Sequence, residues 1–579
     1  MNPKNTKDPR SPDRHQWIAE ARKVKPIVLD PPQVVAKKNL QARSGQSLAG
    51  LETYSGTWQH PQVRHLLSRT LFGLKKAELD FFSQLSMEES VDHLLRALPL
   101  PAPPVNDYEG IGPGAQDPHV GLGESWLNAP HGGEKETFRV ISLKSWMIKN
   151  ILEQPANIRQ KMVLFWSNLL VTKLWDVYIA KTSYRYLEML HLSALGNYKK
   201  LIKDFTLDPS VLIFLNGASN TKAAPDENFG RELQELFCIG KGPDAKFTEG
   251  DVQAAARVLT GWTIDWSKYE NSGPFTSLFN QWGHDFADKQ FSSFYNNRVI
   301  KGKPGENGAE ELDELLDMIV DHPETARYIC RRLYAFFVAN EITEVVEEQI
   351  IRPLADLFQS SGFEIQPVME KLLKSAHFYD QLHQGALIKS PADHLLGIWR
   401  TLGVDFNNDN DLLKTYEGHQ SMLWHMAGQG MEMGDPPNVA GWAAYYQAPQ
   451  YDKAWITTDT ITKRALSTDS LLYWGFWISP ERNVNLNILG FTASLSAPQN
   501  PNVLLQESAL LLLGLELAPE VLGDLKSILL SGQLQDHYWT DAWIDYQNNP
   551  TNSSLQQIVR SRLQACFRQL LQLGEYHLM

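Results

Sequence analysis

Polar side chains that could perform acid–base chemistry lie along one stretch of the sequence, residues 226–240. If this stretch is a helix, four of them fall within one arc of about 100°: Asn228, Arg231, Glu232 and Glu235. The apolar side chains occupy the neighbouring arc, whereas a simple surface helix would place them on the opposite side. The four groups could therefore line a cleft, in which the two glutamates act as acid and base. An ordinary surface ion pair of the arginine with a nearby glutamate is the alternative interpretation.

A second set of candidates lies in an aromatic loop, where Trp282 precedes and Phe286 follows the dipeptide His284-Asp285. His284 could shuttle protons if folding brings it near the two glutamates. Asp285 and Lys289 are then candidate substrate-binding residues. The alternative is a loop histidine that hydrogen-bonds to the backbone.

Arg257 lies on a predicted helix beside an apolar face. Its guanidinium could hold a carboxylate, sulfate or phosphate through two parallel hydrogen bonds. It could equally form a structural pair with an acidic side chain at the edge of the core.

The segment 436–442, Pro-Pro-Asn-Val-Ala-Gly-Trp, cannot form a regular helix because of its two prolines. A rigid loop of this kind can present Asn438 or Trp442 to a ligand. Trp442 can also fill the helical body, since large cores use aromatic side chains.

Helix-period patterns dominate the chain and predict a mainly α fold, a large multi-helix bundle-like body with long loops and few or no strands. Residues 1–56, rich in Pro, Lys and Gln, are expected to form a flexible arm, and residues 57–579 the body. Within the body, 99–130 is a Pro/Gly-rich excursion, either a functional loop or a flexible insert. Thr248 and Asp251 resemble a capping box, and Asp208-Pro209 is typical of a helix start.

The 579 residues carry a net charge of −13, which argues against general nucleic-acid binding. The sequence contains no apolar run long enough to span a bilayer and no metal-ligand motif, and it indicates no particular cofactor. Residues 1–25 lack the apolar core of a secretory signal. We therefore expect a cytoplasmic protein.

Several motifs, taken in order along residues 58–579, resemble a bacterial family described only as "domain of unknown function 1800". The matching segments are 64–73, 162–166, 227–236, 248–252, 256–262, 284–289, 322–327, 389–391, 436–442 and 574–576. The resemblance implies a helical protein of a family that is often exported and is encoded beside a sulfatase-like or phosphatase-like protein. It implies no established activity.

The chain departs from the family pattern at Ser167-Asn168-Leu169, where many members have His-Asn-His. If those histidines bind a metal or carry protons, this chain lacks both, since neither serine nor leucine replaces imidazole.

Two functions follow as hypotheses. The first is a binding or assembly partner of the sulfatase-like or phosphatase-like neighbour, which would also allow export as a bound passenger. The second is a hydrolase or lyase acting on envelope glycans or another anionic substrate. In that case Glu232, Glu235 and His284 would be catalytic, and Arg231 or Arg257 would bind the anion. The sequence does not indicate an oligomeric state.

Overall fold

The computed structural model describes residues 47, 49–112, 114–269, 273, 275–404, 411–480, 482–515 and 517–579. Helices account for most of these residues, which confirms the predicted mainly α fold. The N-terminal helices are α1 (His60–Thr70), α2 (Lys76–Phe82), α3 (Met87–Leu95), α4 (Glu136–Leu152), α5 (Arg159–Leu169), α6 (Leu174–Val177), α7 (Ala180–Leu192), α8 (Tyr198–Thr206) and α9 (Pro209–Phe214).

The central helices follow in the same style. They are α10 (Glu227–Glu232), α11 (Glu249–Val258), α12 (Glu311–Val320), α13 (Pro323–Phe337), α14 (Glu344–Val346), α15 (Arg352–Ser360), α16 (Ile365–Leu373), α17 (Pro391–Thr401), α18 (Leu412–Gly428) and α19 (Thr458–Asp469). The C-terminal helices are α20 (Ile488–Ala493), α21 (Pro501–Leu513), α22 (Pro519–Leu529), α23 (His537–Asn548) and α24 (Ser553–Gln572).

The strands of the described residues form short antiparallel pairs. They are β1 (Trp262–Ile264) with β2 (Ser277–Phe279), β3 (Lys289–Gln290) with β4 (Val299–Ile300), and β5 (Phe476–Ser479) with β6 (Arg482–Val484). Such short pairs are not stable alone. They stabilise loops on the helical body.

Local sequence signals set several helix starts. The Thr248 hydroxyl accepts a hydrogen bond from the backbone N–H of Asp251, and the Asp251 carboxylate accepts one from that of Thr248, which confirms the predicted capping box of α11. Asp208 caps α9 in the same way through the N–H groups of Ser210 and Val211. These bonds satisfy amide groups that have no partner within the helix.

Three helices continue into a wider, π-helical turn: α10 into Leu233–Cys238, α14 into Glu347–Ile351 and α19 into Ser470–Trp474. A π turn contains more residues than an α turn and therefore rotates the side chains that follow it. Of the four predicted groups on this stretch, Glu235 lies within the π turn, whereas Asn228, Arg231 and Glu232 precede it.

Residues 1–46 and 48 of the predicted arm lie outside the described residues. Residues 49–56 are held by the body. The N–H of Tyr54 donates to the carbonyl of Lys374, and the N–H of Ala376 donates to that of Glu52, both at 2.8 Å. The body therefore extends to the N-terminal side of residue 57, because this short segment pairs with the chain that follows α16.

The excursion 99–130 contains no helix in its described part, yet it is packed against α4. Its anchor is Asp117, whose carboxylate accepts hydrogen bonds from Arg139 Nε and Nη2 of α4 at 2.9 and 3.1 Å. Both side chains are almost fully buried. Trp126, also buried, packs in the core below. The segment forms one wall of the body.

Within the described residues, no helix is long and apolar enough to cross a membrane.

Candidate functional site

The predicted acid–base helix is α10 with its π turn, which ends before Gly240 at a positive φ of 86°. Arg231 does not bridge Glu232 and Glu235. Its Nη1 and Nη2 donate to the Glu249 carboxylate at 2.7 and 2.6 Å, on the surface. Glu235 lies in the π turn and acts on Arg231 through its negative charge, without an ion pair between the two among the described residues. Asn228 is exposed beside them.

Glu232 and Glu235 nevertheless remain close to each other. Burial, together with the negative charge of Glu235, raises the pKa of Glu232, and the Oε2 atom of Glu232 is buried without a hydrogen-bond partner in the described structure. Glu235 contacts the ammonium group of Lys241. This arrangement is a half-buried acidic pair compensated by one lysine.

His284 is fully buried and belongs to a different cluster. Its Nδ1 lies 2.8 Å from the carbonyl oxygen of Thr260, and its Nε2 lies 3.2 Å from Glu311 Oε1, without hydrogen-bond alignment. Lys289 also contacts Glu311, and both side chains are fully buried. Burial opposes ionisation of Glu311, but His284, Lys289 and the N–H of Lys303 together lower its pKa. This cluster buries His284 among the side chains that hold the loop.

Arg257 and Asp285 border that cluster, with Nε 2.7 Å from Oδ2. Burial tends to raise the pKa of Asp285, but the Arg257 guanidinium and the N–H of Ala287 lower it. The structure thus brings together Arg257, His284, Asp285 and Lys289. Among the described hydrogen bonds and ion pairs, none joins His284 to Glu232 or Glu235.

A cavity of about 480 Å³ lies elsewhere, between the excursion and helices α4, α5 and α18. This volume is within the range of small-molecule sites. Its apolar walls include Trp146 and the prolines of segment 99–104. This cavity could not be predicted from the sequence, because the excursion has no period from which its packing could be derived.

Several polar atoms of this cavity are buried without a hydrogen-bond partner in the described residues: Asp107 Oδ1, Asn150 Nδ2, and both amide atoms of Gln154. Buried polar atoms are normally satisfied, so each of these is available to a ligand or to water. At the same cavity, the Ser145 hydroxyl lies 2.7 Å from His419 Nδ1.

Asp107 is the group of this cavity best suited to proton transfer. Burial raises its pKa to about 7, although the neighbouring Ser142 and Ser145 hydroxyls oppose the shift. A carboxyl group with a pKa near neutrality can act as either acid or base at physiological pH. Burial lowers the pKa of His419 to about 3, so this histidine is a poor base.

Two basic side chains line the same cavity, Lys149 and Arg159. Arg159 donates to the carbonyl oxygens of Leu98 and Pro99. Neither basic group has a carboxylate within ion-pair distance in the described part of the chain. The carboxyl groups of Asp107 and Glu153 line the cavity as well, so a ligand would meet both basic and acidic side chains there.

A family model described as "Protein of unknown function (DUF1800)" matches residues 65–573, nearly the whole chain. The chain belongs to the DUF1800 family. This membership confirms the family relationship that the motifs indicated. It establishes no activity. No curated protein and no solved structure matches the chain.

In this DUF1800 protein, the Ser167-Asn168-Leu169 segment is buried and structural. Asn168 Oδ1 accepts a hydrogen bond from the backbone N–H of Trp442 at 2.8 Å. Trp442 is 3% exposed and therefore fills the body. Asn438 is exposed, and its Oδ1 accepts from the N–H of Ala440 within the same loop.

Replacing Gly441 with alanine is expected to destabilise the protein by more than about 2 kcal/mol. A Cβ there would lie 2.3 Å from Asn168 Oδ1 and 2.4 Å from its carbonyl oxygen, at a φ of 92°. Urea unfolding followed by circular dichroism measures the change. The matched control is Gly430→Ala, since Gly430 has a φ of 100° but no atom within 4 Å of the added Cβ. If both substitutions cost the same, the contact with Asn168 contributes nothing.

Proposed function

We propose that this DUF1800 protein is a binding protein that works in association with a partner protein. The observation that carries the proposal is an exposed aromatic surface. It consists of four side chains, each 42–58% exposed: Trp424, Tyr473, Trp474 and Trp477. We call this set the tryptophan surface.

The tryptophan surface is carried by α18 (Trp424), by the π turn that follows α19 (Tyr473 and Trp474) and by strand β5 (Trp477). The rings of Trp424 and Trp477 stack with centroids 6.3 Å apart and planes inclined by 13°. The Ser421 hydroxyl donates to the carbonyl of Trp477 and fixes the strand on the helix. Rigid, clustered tryptophans are typical of the residues that dominate binding energy in protein interfaces, whereas exposed apolar residues on monomers are usually scattered singly.

The partner that we propose is the sulfatase-like or phosphatase-like protein that the family resemblance places beside DUF1800 members. Its class rests on that resemblance. The tryptophan surface supports only the existence of a protein partner.

The double variant Trp424→Ala/Trp477→Ala is expected to weaken binding to the neighbour-encoded protein at least tenfold, because truncating interface tryptophans typically costs about 2 kcal/mol or more. Biolayer interferometry with the purified proteins measures this change. The control is Trp282→Ala, which removes a single tryptophan that is 77% exposed outside this surface. Wild-type protein that fails to bind at micromolar concentration would contradict the proposal. Binding of soluble glycans that the double variant abolishes would instead assign the surface to sugars.

We also propose that the protein resides in the cytoplasm, or leaves it only when bound to a partner that carries an export signal. Fractionation of cells expressing the chain without the neighbour-encoded protein should recover it in the cytoplasm. Recovery of the isolated chain from an exported fraction would contradict the proposal.

The cavity supports a second candidate function, a hydrolase or lyase acting on an anionic substrate such as an acidic envelope glycan. Asp107 would be the acid–base group here, in place of Glu232, Glu235 and His284. Lys149 and Arg159 would attract the substrate, and Ser145 would orient the carboxyl group. The observation that favours this candidate is a titratable carboxyl group beside two basic side chains in a cavity of ligand size.

Asp107→Asn is expected to change the pH dependence of stability. The pKa of Asp107 is about 7 in the folded protein and ordinary in the unfolded chain, so the wild type loses stability as pH rises from about 4 to 7. The Asp107→Asn variant does not lose stability in this way, because its amide does not titrate. Its free energy of unfolding relative to wild type should therefore rise over this range by up to about 4 kcal/mol and then level off.

Urea unfolding at several pH values measures this difference, and turnover of acidic oligosaccharides tests the catalytic role. Asp176→Asn is the control, because the Asp176 carboxylate is half exposed in its ion pair with Lys173. A difference between wild type and Asp107→Asn that does not vary with pH would exclude Asp107 as the acid–base group. Unchanged turnover in a folded Asp107→Asn variant would exclude it from the chemistry.

A further inference from the structure

Five basic side chains are buried together in the body, away from the 480 Å³ cavity. They are Arg64 and Arg69 of α1, Lys161 of α5, Lys389 just before α17, and Arg464 of α19, each at most 8% exposed. We call them the cationic cluster. In the cluster, the ammonium group of Lys161 contacts the Asp393 carboxylate. In the described structure, no carboxylate lies within ion-pair distance of the other four.

The members of the cluster also act on one another electrostatically. Burial lowers the pKa of Lys389 far below its ordinary value, and the positive charges of Arg64, Arg464 and Lys161 lower it further. Burial likewise lowers the pKa of Arg69 to about 9, against the opposing charges of Asp452 and Asp393. The charges of five basic groups are thus opposed by those of two carboxylates, Asp393 and Asp452. In a poorly solvated environment this excess of positive charge destabilises the folded state.

Backbone carbonyl groups satisfy only part of this donor capacity. Arg64 Nη2 donates to the carbonyl of Leu512 at 3.2 Å, and Arg464 Nη2 to that of Lys389 at 2.8 Å. Lys389 Nζ donates to the carbonyl of Tyr576 at 2.5 Å. Several guanidinium nitrogens remain buried without a hydrogen-bond partner in the described residues: Arg64 Nε, Arg69 Nε and Nη1, and Arg464 Nε and Nη1. Buried N–H groups of this kind are costly unless something accepts their hydrogen bonds.

A small cavity of about 30 Å³ lies beside these groups, lined by Arg64 and Lys389 together with Ser68, Tyr576 and Asp393. A single water needs about 10–15 Å³ of such volume, so the cavity has room for more than one water and limits any ligand to the size of a small inorganic ion. The Asp393 carboxylate that lines it is already engaged by Lys161 and by the Ser390 hydroxyl.

We infer that this cavity binds one inorganic oxyanion, sulfate or phosphate, held by Arg64 and Lys389. Arg69, Lys161 and Arg464 supply additional positive potential from positions deeper in the cluster. The guanidinium fork matches the geometry of a tetrahedral oxyanion. The small volume favours a free ion over the same group carried on a sugar.

The test is thermal unfolding of the full chain in chloride buffer at constant ionic strength, with sulfate or phosphate added. Specific binding should raise the unfolding temperature in a saturable way, by roughly 2–4 °C at a large excess of ion. Sulfate also stabilises proteins in general, but that effect does not saturate with concentration and is distinguished from specific binding in this way. Glucose 6-phosphate is tested in parallel and should give no saturable rise in the unfolding temperature, because its sugar does not fit the cavity. A saturable rise with glucose 6-phosphate would overturn the assignment to a free ion.

Lys389→Met should abolish the saturable rise. It should also leave the unfolding temperature in chloride unchanged or higher, because it removes a buried charge that has no counterion. Arg64→Met is the second variant and should lose the rise in the same way. The matched control is Arg139→Met, a buried arginine that has carboxylate partners at 2.9 and 3.2 Å elsewhere in the body. This control should unfold at a lower temperature in chloride and keep the sulfate response.

Two outcomes would overturn the inference of an oxyanion site. One is wild-type protein that shows no saturable response to either ion. If the variants fail to fold, isothermal titration of the wild-type protein with each ion makes the same test. The other is a folded Lys389→Met that keeps the response.

Discussion

The buried contact between Lys161 and Asp393 is the constraint on which the centre of the body depends. It joins α5 to α17, and the Ser390 hydroxyl donates to the same carboxylate while capping α17. A buried ion pair gains little over water unless its geometry is good and the remaining hydrogen bonds are made. The helices that carry it therefore have little freedom to shift, and the other basic groups of the cluster are positioned by the same packing.

This constraint relates segments that are far apart in the chain. The segments 64–73, 389–391 and 574–576, which carry part of the family resemblance, meet around the cationic cluster, through Arg64, Lys389 and Tyr576. Segment 436–442 meets α5 through Asn168. Several motifs thus meet in the centre of the body, where segments that are far apart in the sequence pack together.

Local sequence signals were sufficient for the helical fold and for particular helix starts, such as the capping box of Thr248 and Asp251. They could not place the site, because side-chain contacts between distant residues have no local pattern. The pairing of His284 with Glu311, and that of Ser145 with His419, follows only from packing. The π turn after α10 also could not be predicted from the local sequence. A regular helix was the simplest interpretation of residues 226–240, but Glu235 lies in a π turn and pairs with Lys241, while Arg231 pairs with Glu249.

The contact between Asn168 and the loop that contains Gly441 links two positions that are 273 residues apart in sequence. A side chain at position 441 is excluded by the Asn168 side chain, by the backbone carbonyl oxygen of residue 168 and by the positive φ, so any residue at position 168 leaves glycine favoured at 441. The reverse constraint is specific to the side chain, because the N–H of Trp442 loses its acceptor if the asparagine is replaced. In evolutionary terms, a change at position 168 is tolerated only if the new side chain accepts this hydrogen bond, whereas position 441 is restricted by the backbone itself.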